Sequence, residues 1–164
     1  MYNARVNEDF KPHRIEEGLW LGRAPLTPEE FSLLHDIGVQ DIVTLQTEDE
    51  ARLGGILPPV ATRIVAALGM SLYRMEITDL SAPALKARTP LAAGLVSHLR
   101  SRGRCIYVHC AAGMSRSPTV VSAYLVLSQG LSADAACNLV VTLHPSMPDR
   151  QAVRSMLPPR ADPS

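Results

Sequence analysis

Lysine, cysteine and net charge are all scarce in this chain, and each shortage closes off a class of function. Only Lys11 and Lys86 stand beside 14 arginines, and 16 basic residues balance 16 acidic ones. A formal charge of zero and a pI near 7.0 give no basic footprint for nucleic acid and no charged face for a membrane surface. Three cysteines are an odd number at irregular spacing, which argues against a disulfide framework and for a reducing compartment. Residues 1–14 are polar and no run approaches eighteen apolar residues, so neither a signal peptide nor a membrane span is read. The expected location is cytoplasmic. His13, His35, His98 and His144 share no ligand spacing with a cysteine or carboxylate, so no metal and no cofactor are expected. There is no internal repeat and no low-complexity segment. The arginine excess is of the kind a GC-rich genome produces.

What is present is enough for one domain: 164 residues, 46% hydrophobic. Its centre is Val108 to Pro118. Arg104 to Val108 is a short apolar run without alternation, as expected of a strand buried on both faces of a parallel sheet. Thr119 to Leu127 is apolar on nearly every face and reads as a buried helix. A strand therefore feeds a tight loop that opens a helix, and such a loop gathers backbone N–H groups at the positive end of the helix dipole. That is a site for a tetrahedral dianion, with Ala111, Ala112, Gly113, Met114, Ser115 and Arg116 expected to bind phosphate.

Each side chain of the loop has a task in that chemistry. Cys110 sits where amides and dipole favour a thiolate, a placement that lowers a thiol pKa to roughly 3.5–7.5 and makes a nucleophile at neutral pH. Arg116 can offer phosphate two parallel N–H donors, which lysine cannot. Gly113 permits a backbone conformation closed to other residues. Ser117 places a hydroxyl near the sulfur to help the thiolate leave, and Ser115 can hydrogen-bond within the loop. An ordinary buried cysteine would not need Gly and Arg at these offsets in this strand–loop–helix context.

The run His109-Cys110-x-x-Gly113-x-x-Arg116-Ser117 resembles the signature of the cysteine-based protein tyrosine phosphatase superfamily, and Ala111 to Pro118 is most similar to its dual-specificity branch. The resemblance extends over about residues 14–157. It implies a single α/β domain with a mostly parallel central sheet flanked by helices, and a metal-free, two-step hydrolysis of phosphate monoesters. It also implies that His109 supports the loop and is not the catalytic base. The domain is placed at 13–157, with 1–12 and 158–164 as flexible termini.

Along the chain, Leu19 to Gly22 reads as the first strand. Thr27-Pro28-Glu29-Glu30 carries a cap, a first-turn proline and a capping-box glutamate, opening a helix that Gly38 closes. Val39 to Leu45 is a core strand, and Gln46 to Leu57, acidic and glycine-bearing, is a loop. Pro58 to Leu68 has helical spacing, Met70 to Ile77 alternates as a strand, and Thr89 to Arg102 is a helix capped by Thr89. Arg100, Arg102 and Arg104 read as a solvated helix end. Asp41 and Glu48 to Glu50 read as solvated loop charges. After Gly130, Ser132 caps a helix whose buried face is Ala135, Ala136, Leu139, Val140 and Leu143, and 149–157 forms a last short helix.

The departing oxygen needs a proton, and an acid on a mobile loop is the usual donor. Asp79 is the candidate, following a strand and opening the polar loop Thr78 to Arg88, 31 residues before Cys110. Members of the resembled family carry their general acid at similar spacing. Glu76 lies within the strand pattern and is second choice. Cys105 is too far along one strand to form a disulfide with Cys110, since five residues span about 16 Å against a limit of ~7 Å.

For substrate, the short chain shows no insertion that would deepen the pocket, so phosphotyrosine and phosphoserine or phosphothreonine in proteins are the first expectation, acted on by a monomer. Leu45-Gln46-Thr47, the Ala-Gly-Met of the loop and 148–154 resemble the phosphatase domains of laforin and plant glucan phosphatases, making phosphoglucan the second. The acid loop Leu80 to Leu85 has no aromatic for a glucan platform. Phosphoinositides rank third, because Ala111, Ala112 and Met114 are neutral. A catalytically dead binding module ranks last, since Cys, Arg and acid are all present.

Overall fold

Strand β5, Ile106–His109, lies in the middle of the sheet with all four residues buried. Its side chains alternate between two cores, as the period of two demands. Ile106 and Val108 face one cluster and Tyr107 the other. A computed structural model describes residues 7–157, and in it the remaining strands are β1 (His13–Glu16), β2 (Leu19–Gly22), β3 (Asp41–Thr44) and β4 (Ser71–Arg74). The order is β1-β2-β5-β3-β4, parallel except for β1, which pairs antiparallel with β2. The sheet is therefore mostly parallel and covered by helices, as expected. Strand β1 was not read from the sequence, because His13 to Glu16 lies at the edge and carries one buried residue, Ile15.

On one face lie α4 (Ala82–Ser101), α5 (Arg116–Gln129), α6 (Ala133–Leu143) and α7 (Arg150–Arg154), packed on Leu19, Leu21, Val43 and Val108. Helix α5 is buried from Arg116 to Val126, which explains why its sequence has no polar face. The other face is covered by α1 (Pro28–Asp36) and α3 (Pro58–Ala67), with Phe31, Leu34 and Val65 against Ile42 and Tyr107. Phe10, assigned to a loose N-terminal segment, belongs to this second core: it is buried, edge-on to Tyr107 with ring centroids 6.1 Å apart. Residues 1–6 and the tail 158–164 lie outside the described residues.

Three expectations need correction. The segment read as a loop from Gln46 to Leu57 contains helix α2 (Glu48–Gly54), started by a full capping box between Thr47 and Glu50. Helix α4 begins at Ser81, whose side chain accepts from Ala84 N, so Thr89 and Pro90 are interior. Thr89 is buried and its hydroxyl bonds back to Leu85 O at 2.6 Å instead of capping. In α6 the buried residues are Ala133, Ala136, Cys137 and Val140, with Leu139 half-buried and Ala135 and Leu143 exposed. The inward face is thus turned to bring Cys137 rather than Ala135 to the core.

Of the charges read as solvated, Glu48, Asp49 and Arg102 are exposed, but others are not. Asp41 is fully buried and receives Arg104 in a two-point pair at 2.7 and 2.8 Å. Arg100 donates to Arg104 O at 2.7 Å and to Glu17 O, tying the end of α4 to the β1–β2 turn. No helix among the described residues is long and apolar enough to cross a membrane.

Candidate active site

Parallel strands place their carboxyl ends together, and crevices at such edges are where ligands bind in open α/β sheets. Here Gly22, Thr44 and His109 are in register at that edge, and the chain leaves β5 directly into Cys110. The loop from Cys110 to Ser115 is fastened from outside through its carbonyls. Ala24 N donates to Ala111 O at 3.0 Å, His144 Nε2 bonds Gly113 O at 2.6 Å, and Met147 N donates to Met114 O at 2.7 Å. Planar trans peptides carry C=O and the next N–H on opposite sides. The amides of Ala112, Met114 and Ser115 are therefore turned away from the scaffold and into the loop.

Gly113 makes the curve possible. Its φ is +71°, and a Cβ there would lie 2.6 Å from the carbonyl carbon of Gly22 and 2.8 Å from Arg23 N. Gly22 also leaves space for the fully buried Tyr107, whose hydroxyl donates to Arg23 O at 2.6 Å.

Cys110 is buried, and its Sγ lies 3.2 Å from Ser117 Oγ in the first turn of α5. His109 is also buried, and burial, with the charge of Arg116 adding to it, pushes its imidazole down to about 4. It is neutral at pH 7, so Nδ1–H donates to Cys110 O at 3.0 Å. That is a bond to the backbone, away from the sulfur. Ser115 caps α5 without a side-chain bond among the described residues; its carbonyl instead accepts from Thr119 N at 2.9 Å and Thr119 Oγ1 at 2.7 Å. Cys105 and Cys137 are free thiols, each pushed up by burial, which disfavours their thiolates.

Arg116 is held by a residue the sequence reading set aside. Its Nη1 and Nη2 donate to the two carboxylate oxygens of Glu50 at 2.8 and 2.6 Å, and Nη1 also donates to Ile77 O at 2.8 Å. Glu50 Oε2 simultaneously accepts from Thr47 N at 2.9 Å, so the capping box of α2 fixes the carboxylate that fixes the guanidinium. Burial works to raise the Glu50 carboxyl, but the hydrogen bonds from Arg116 and Thr47 outweigh it and hold the group below its ordinary value. The signal was legible as Thr47-x-x-Glu50. It was masked by neighbouring acids that do face solvent, such as Glu48, which pairs with Arg52 on the exposed side of α2.

Of the five N–H groups of Arg116, Glu50 and Ile77 occupy three. The Nε and remaining Nη2 protons form the side-on edge, and Asp79 Oδ1 stands 3.3 Å from Nε on that edge. The structure thus brings Asp79, half-exposed, into one cleft with Arg116, while Cys110 and Ser117 are buried and do not line it. Leu80 follows with φ +54°, a left-handed turn costing about 1–2 kcal/mol in a non-glycine residue, between Asp79 and the cap Ser81. Glu76 lies elsewhere, paired with Arg74 at 2.9 Å. The cleft, about 220 Å³, is lined by Thr78, Asp79, Leu80, Ser115, Arg116 and Asp149 among others. No cluster of metal-ligating side chains occurs among the described residues.

The model of the dual specificity phosphatase catalytic domain matches residues 65–161. The amyloplastic phosphoglucan phosphatase DSP4 of Castanea sativa is 30% identical over 152 residues, covering 92% of this chain and 40% of that protein. The phosphatidylglycerophosphatase and protein-tyrosine phosphatase 1 of Homo sapiens is 28% identical over 139 residues, covering 85% of this chain and 67% of that protein. The crystal structure of PTPMT1 superimposes with a TM-score of 0.71 at 24% identity, over 89% of this chain and 91% of that one, which speaks to the fold. The matched family domain takes in β5, the loop after Cys110 and all of α5, more than half of the chain in total. The protein accordingly belongs to the dual specificity phosphatase branch of the cysteine-based protein tyrosine phosphatases.

Proposed function

We propose that this phosphatase hydrolyses phosphate monoesters of proteins without a metal, through a phosphocysteine. The observation that carries the reading is the pairing of Cys110 Sγ with Ser117 Oγ at 3.2 Å at the start of α5, whose Arg116 is held by Glu50 through its end-on fork and lines the cleft beside Asp79. In the first step the Cys110 thiolate attacks phosphorus, the ester P–O bond breaks, and Asp79 gives its proton to the departing oxygen. Two phosphate oxygens take the Nε–Nη2 edge of Arg116, and the loop amides take the others. In the second step water attacks phosphorus, Asp79 accepts a proton from it, and the S–P bond breaks to release phosphate. Ser117 donates a hydrogen bond to the departing sulfur.

A protein substrate is supported by the rim. The cleft continues past Ala82 and Asp149 into a second depression of about 320 Å³ lined by Pro83, Lys86 and Gln151, which suits an extended chain. Among the described residues, Arg116 is the sole cation lining the cleft, which suits one phosphate rather than a polyphosphorylated headgroup. A second reading, phosphoglucan, is favoured by the 30% identity to the Castanea sativa enzyme over 92% of this chain. Phosphate release should be compared on phosphotyrosine peptide, phosphothreonine peptide, phosphorylated amylopectin and a phosphoinositide at matched concentrations, in the presence of a chelator. The expected result is highest kcat/KM on the peptides, none of it present in Cys110→Ser. Higher kcat/KM on amylopectin would replace the protein reading with the glucan one, and inactivation by the chelator would overturn the metal-free mechanism.

A further inference from the structure

The carbonyl of Gly113 faces away from the phosphate site and meets a buried histidine from a different part of the fold. His144 follows α6, has its own N–H bonded to Val140 O at 2.8 Å, and is 7% exposed. Its Nε2 lies 2.6 Å from Gly113 O, and its Nδ1 lies 2.7 Å from Nδ1 of His13 on the edge strand β1. The two rings are tilted by 57° with centroids 4.5 Å apart.

With both rings neutral, only one arrangement of protons satisfies both short contacts. A carbonyl accepts and cannot donate, so Nε2 of His144 carries a proton. In a neutral imidazole Nδ1 is then the acceptor, so the proton between the two rings belongs to His13 Nδ1. The chain of donation runs from His13 Nδ1–H to His144 Nδ1, and from His144 Nε2–H to Gly113 O. His13 is half-buried, and burial, with His144 and Lys11 nearby, pushes its imidazole below the ordinary value, in keeping with a neutral ring.

We propose that His144 is a positioning residue for the phosphate loop and that His13 fixes its tautomer. The inference rests on the phosphate-binding reading of the loop. By anchoring the Gly113 carbonyl, His144 sets the plane of the Gly113–Met114 peptide and aims the Met114 N–H at the bound phosphate. His13 does for His144 what an orienting carboxylate does for a catalytic histidine, selecting which ring nitrogen carries the proton. Neither ring touches the substrate. The neighbouring Met147 N to Met114 O bond fastens the next peptide of the loop, so the segment after α6 sets two consecutive loop amides.

The test combines side-chain mimicry with a direct view of the protons. Glutamine can place an amide N–H where Nε2–H stands, and asparagine can do so for Nδ1–H. With vanadate as the probe, His144→Phe should weaken inhibition by roughly tenfold and raise KM more than it lowers kcat, while His144→Gln restores most of the affinity. His13→Leu should weaken vanadate binding by a few-fold, with His13→Asn close to wild type. Histidine ¹H–¹⁵N spectra of the wild-type protein at pH 8 should show His144 as the Nε2–H tautomer and His13 as the Nδ1–H tautomer, the one less favoured in free histidine. Equal vanadate affinity of the folded Phe, Gln and wild-type proteins would overturn the positioning role, and an Nε2–H tautomer at His13 would overturn the tautomer lock. Absence of any vanadate binding in the wild-type protein would instead overturn the phosphate-loop reading beneath both.

Discussion

Replacing Glu50 by Gln tests how Arg116, the arginine proposed to bind phosphate, is held. The side chain of Arg116 is 4% exposed, and its end-on fork meets two carboxylate oxygens at 2.6 and 2.8 Å. Glutamine keeps one acceptor and turns an NH₂ toward the guanidinium, so one charge-assisted hydrogen bond is lost, about 1.5–3 kcal/mol. If that free energy is expressed in the transition state, kcat/KM falls by roughly 10- to 150-fold at 1.36 kcal/mol per factor of ten. The assay is steady-state hydrolysis of an aryl phosphate with vanadate inhibition alongside, and Glu48→Gln, on the exposed side of α2, serves as the control with less than a twofold change. The pH dependence follows in sign. Because Glu50 is held below its ordinary value, its stabilising contribution is complete above about pH 4.3 and is lost as pH falls through its lowered folded value. The Gln variant lacks this component, so its stability should change less between pH 5 and 3 than that of the wild type. A Glu50→Gln enzyme within threefold of wild type, with an unaltered acid limb, would refute the argument and leave Ile77 O and the loop as sufficient supports for Arg116.

Three other substitutions probe the same cleft. Gly113→Ala places a Cβ 2.6 Å from the Gly22 carbonyl carbon at φ +71°, so the loop must shift; kcat/KM should fall at least 100-fold, checked against a folded far-UV circular dichroism spectrum. Ser117→Ala removes the hydroxyl 3.2 Å from Cys110 Sγ and should slow the second step, so that a rapid-quench experiment shows a burst of alcohol followed by slower turnover, with kcat/KM nearly unchanged. Asp79→Asn should lower kcat by roughly 10²–10⁴ on an alkyl phosphate and far less on an activated aryl phosphate. Equal losses on both substrates would move the acid elsewhere.

The signature loop was legible in the sequence because the residues that define its motif are local, although those that fasten it from outside are not. Cys110, Gly113, Arg116 and Ser117 fall within eight positions, and the strand before and the buried helix after are each marked by an apolar run. Asp79 was reachable as the first acid after the alternating run Met70 to Ile77, although β4 itself ends at Arg74 and leaves Glu76 outside the strand. What could not be read was partnership across the fold. The capping box at Thr47 is a local signal, but that its glutamate reaches 66 positions along the chain to Arg116 is a product of the sheet order, which sets β3 beside β5. The same holds for His144, whose acceptor lies 31 positions away on a loop, and for Thr89, which looks like a cap until its hydroxyl is seen to close on its own helix. Helix α2 was missed because paired glycines and three acids in a row resemble a loop, whereas at a helix start those acids favour the dipole.

One compositional feature changes meaning once the contacts are known. The ratio of 14 arginines to two lysines needs no protein-level cause if it reflects only genome composition. Among the described residues, three of those arginines, however, span both oxygens of a carboxylate: Arg23 with Glu30 at 3.0 and 2.9 Å, Arg104 with Asp41 at 2.7 and 2.8 Å, and Arg116 with Glu50. Glu30 and Asp41 are fully buried. An ionised carboxylate withdrawn from water must have its lone pairs occupied, and a planar fork satisfies both oxygens at once where an ammonium group satisfies one direction at a time. Arg23 also donates at 2.7 Å to the carbonyl of Ala24, the residue whose own N–H fastens Ala111 O. Lysine at positions 23, 104 or 116 would keep the charge and lose the second bond. At 23 and 116 that loss falls on the phosphate loop itself, so these two arginines are fixed by geometry whatever the genome supplies. Arg23→Lys should therefore weaken vanadate binding, whereas Arg104→Lys, whose partner Asp41 starts β3 at the far end of the sheet, should lower thermal stability and leave vanadate affinity unchanged.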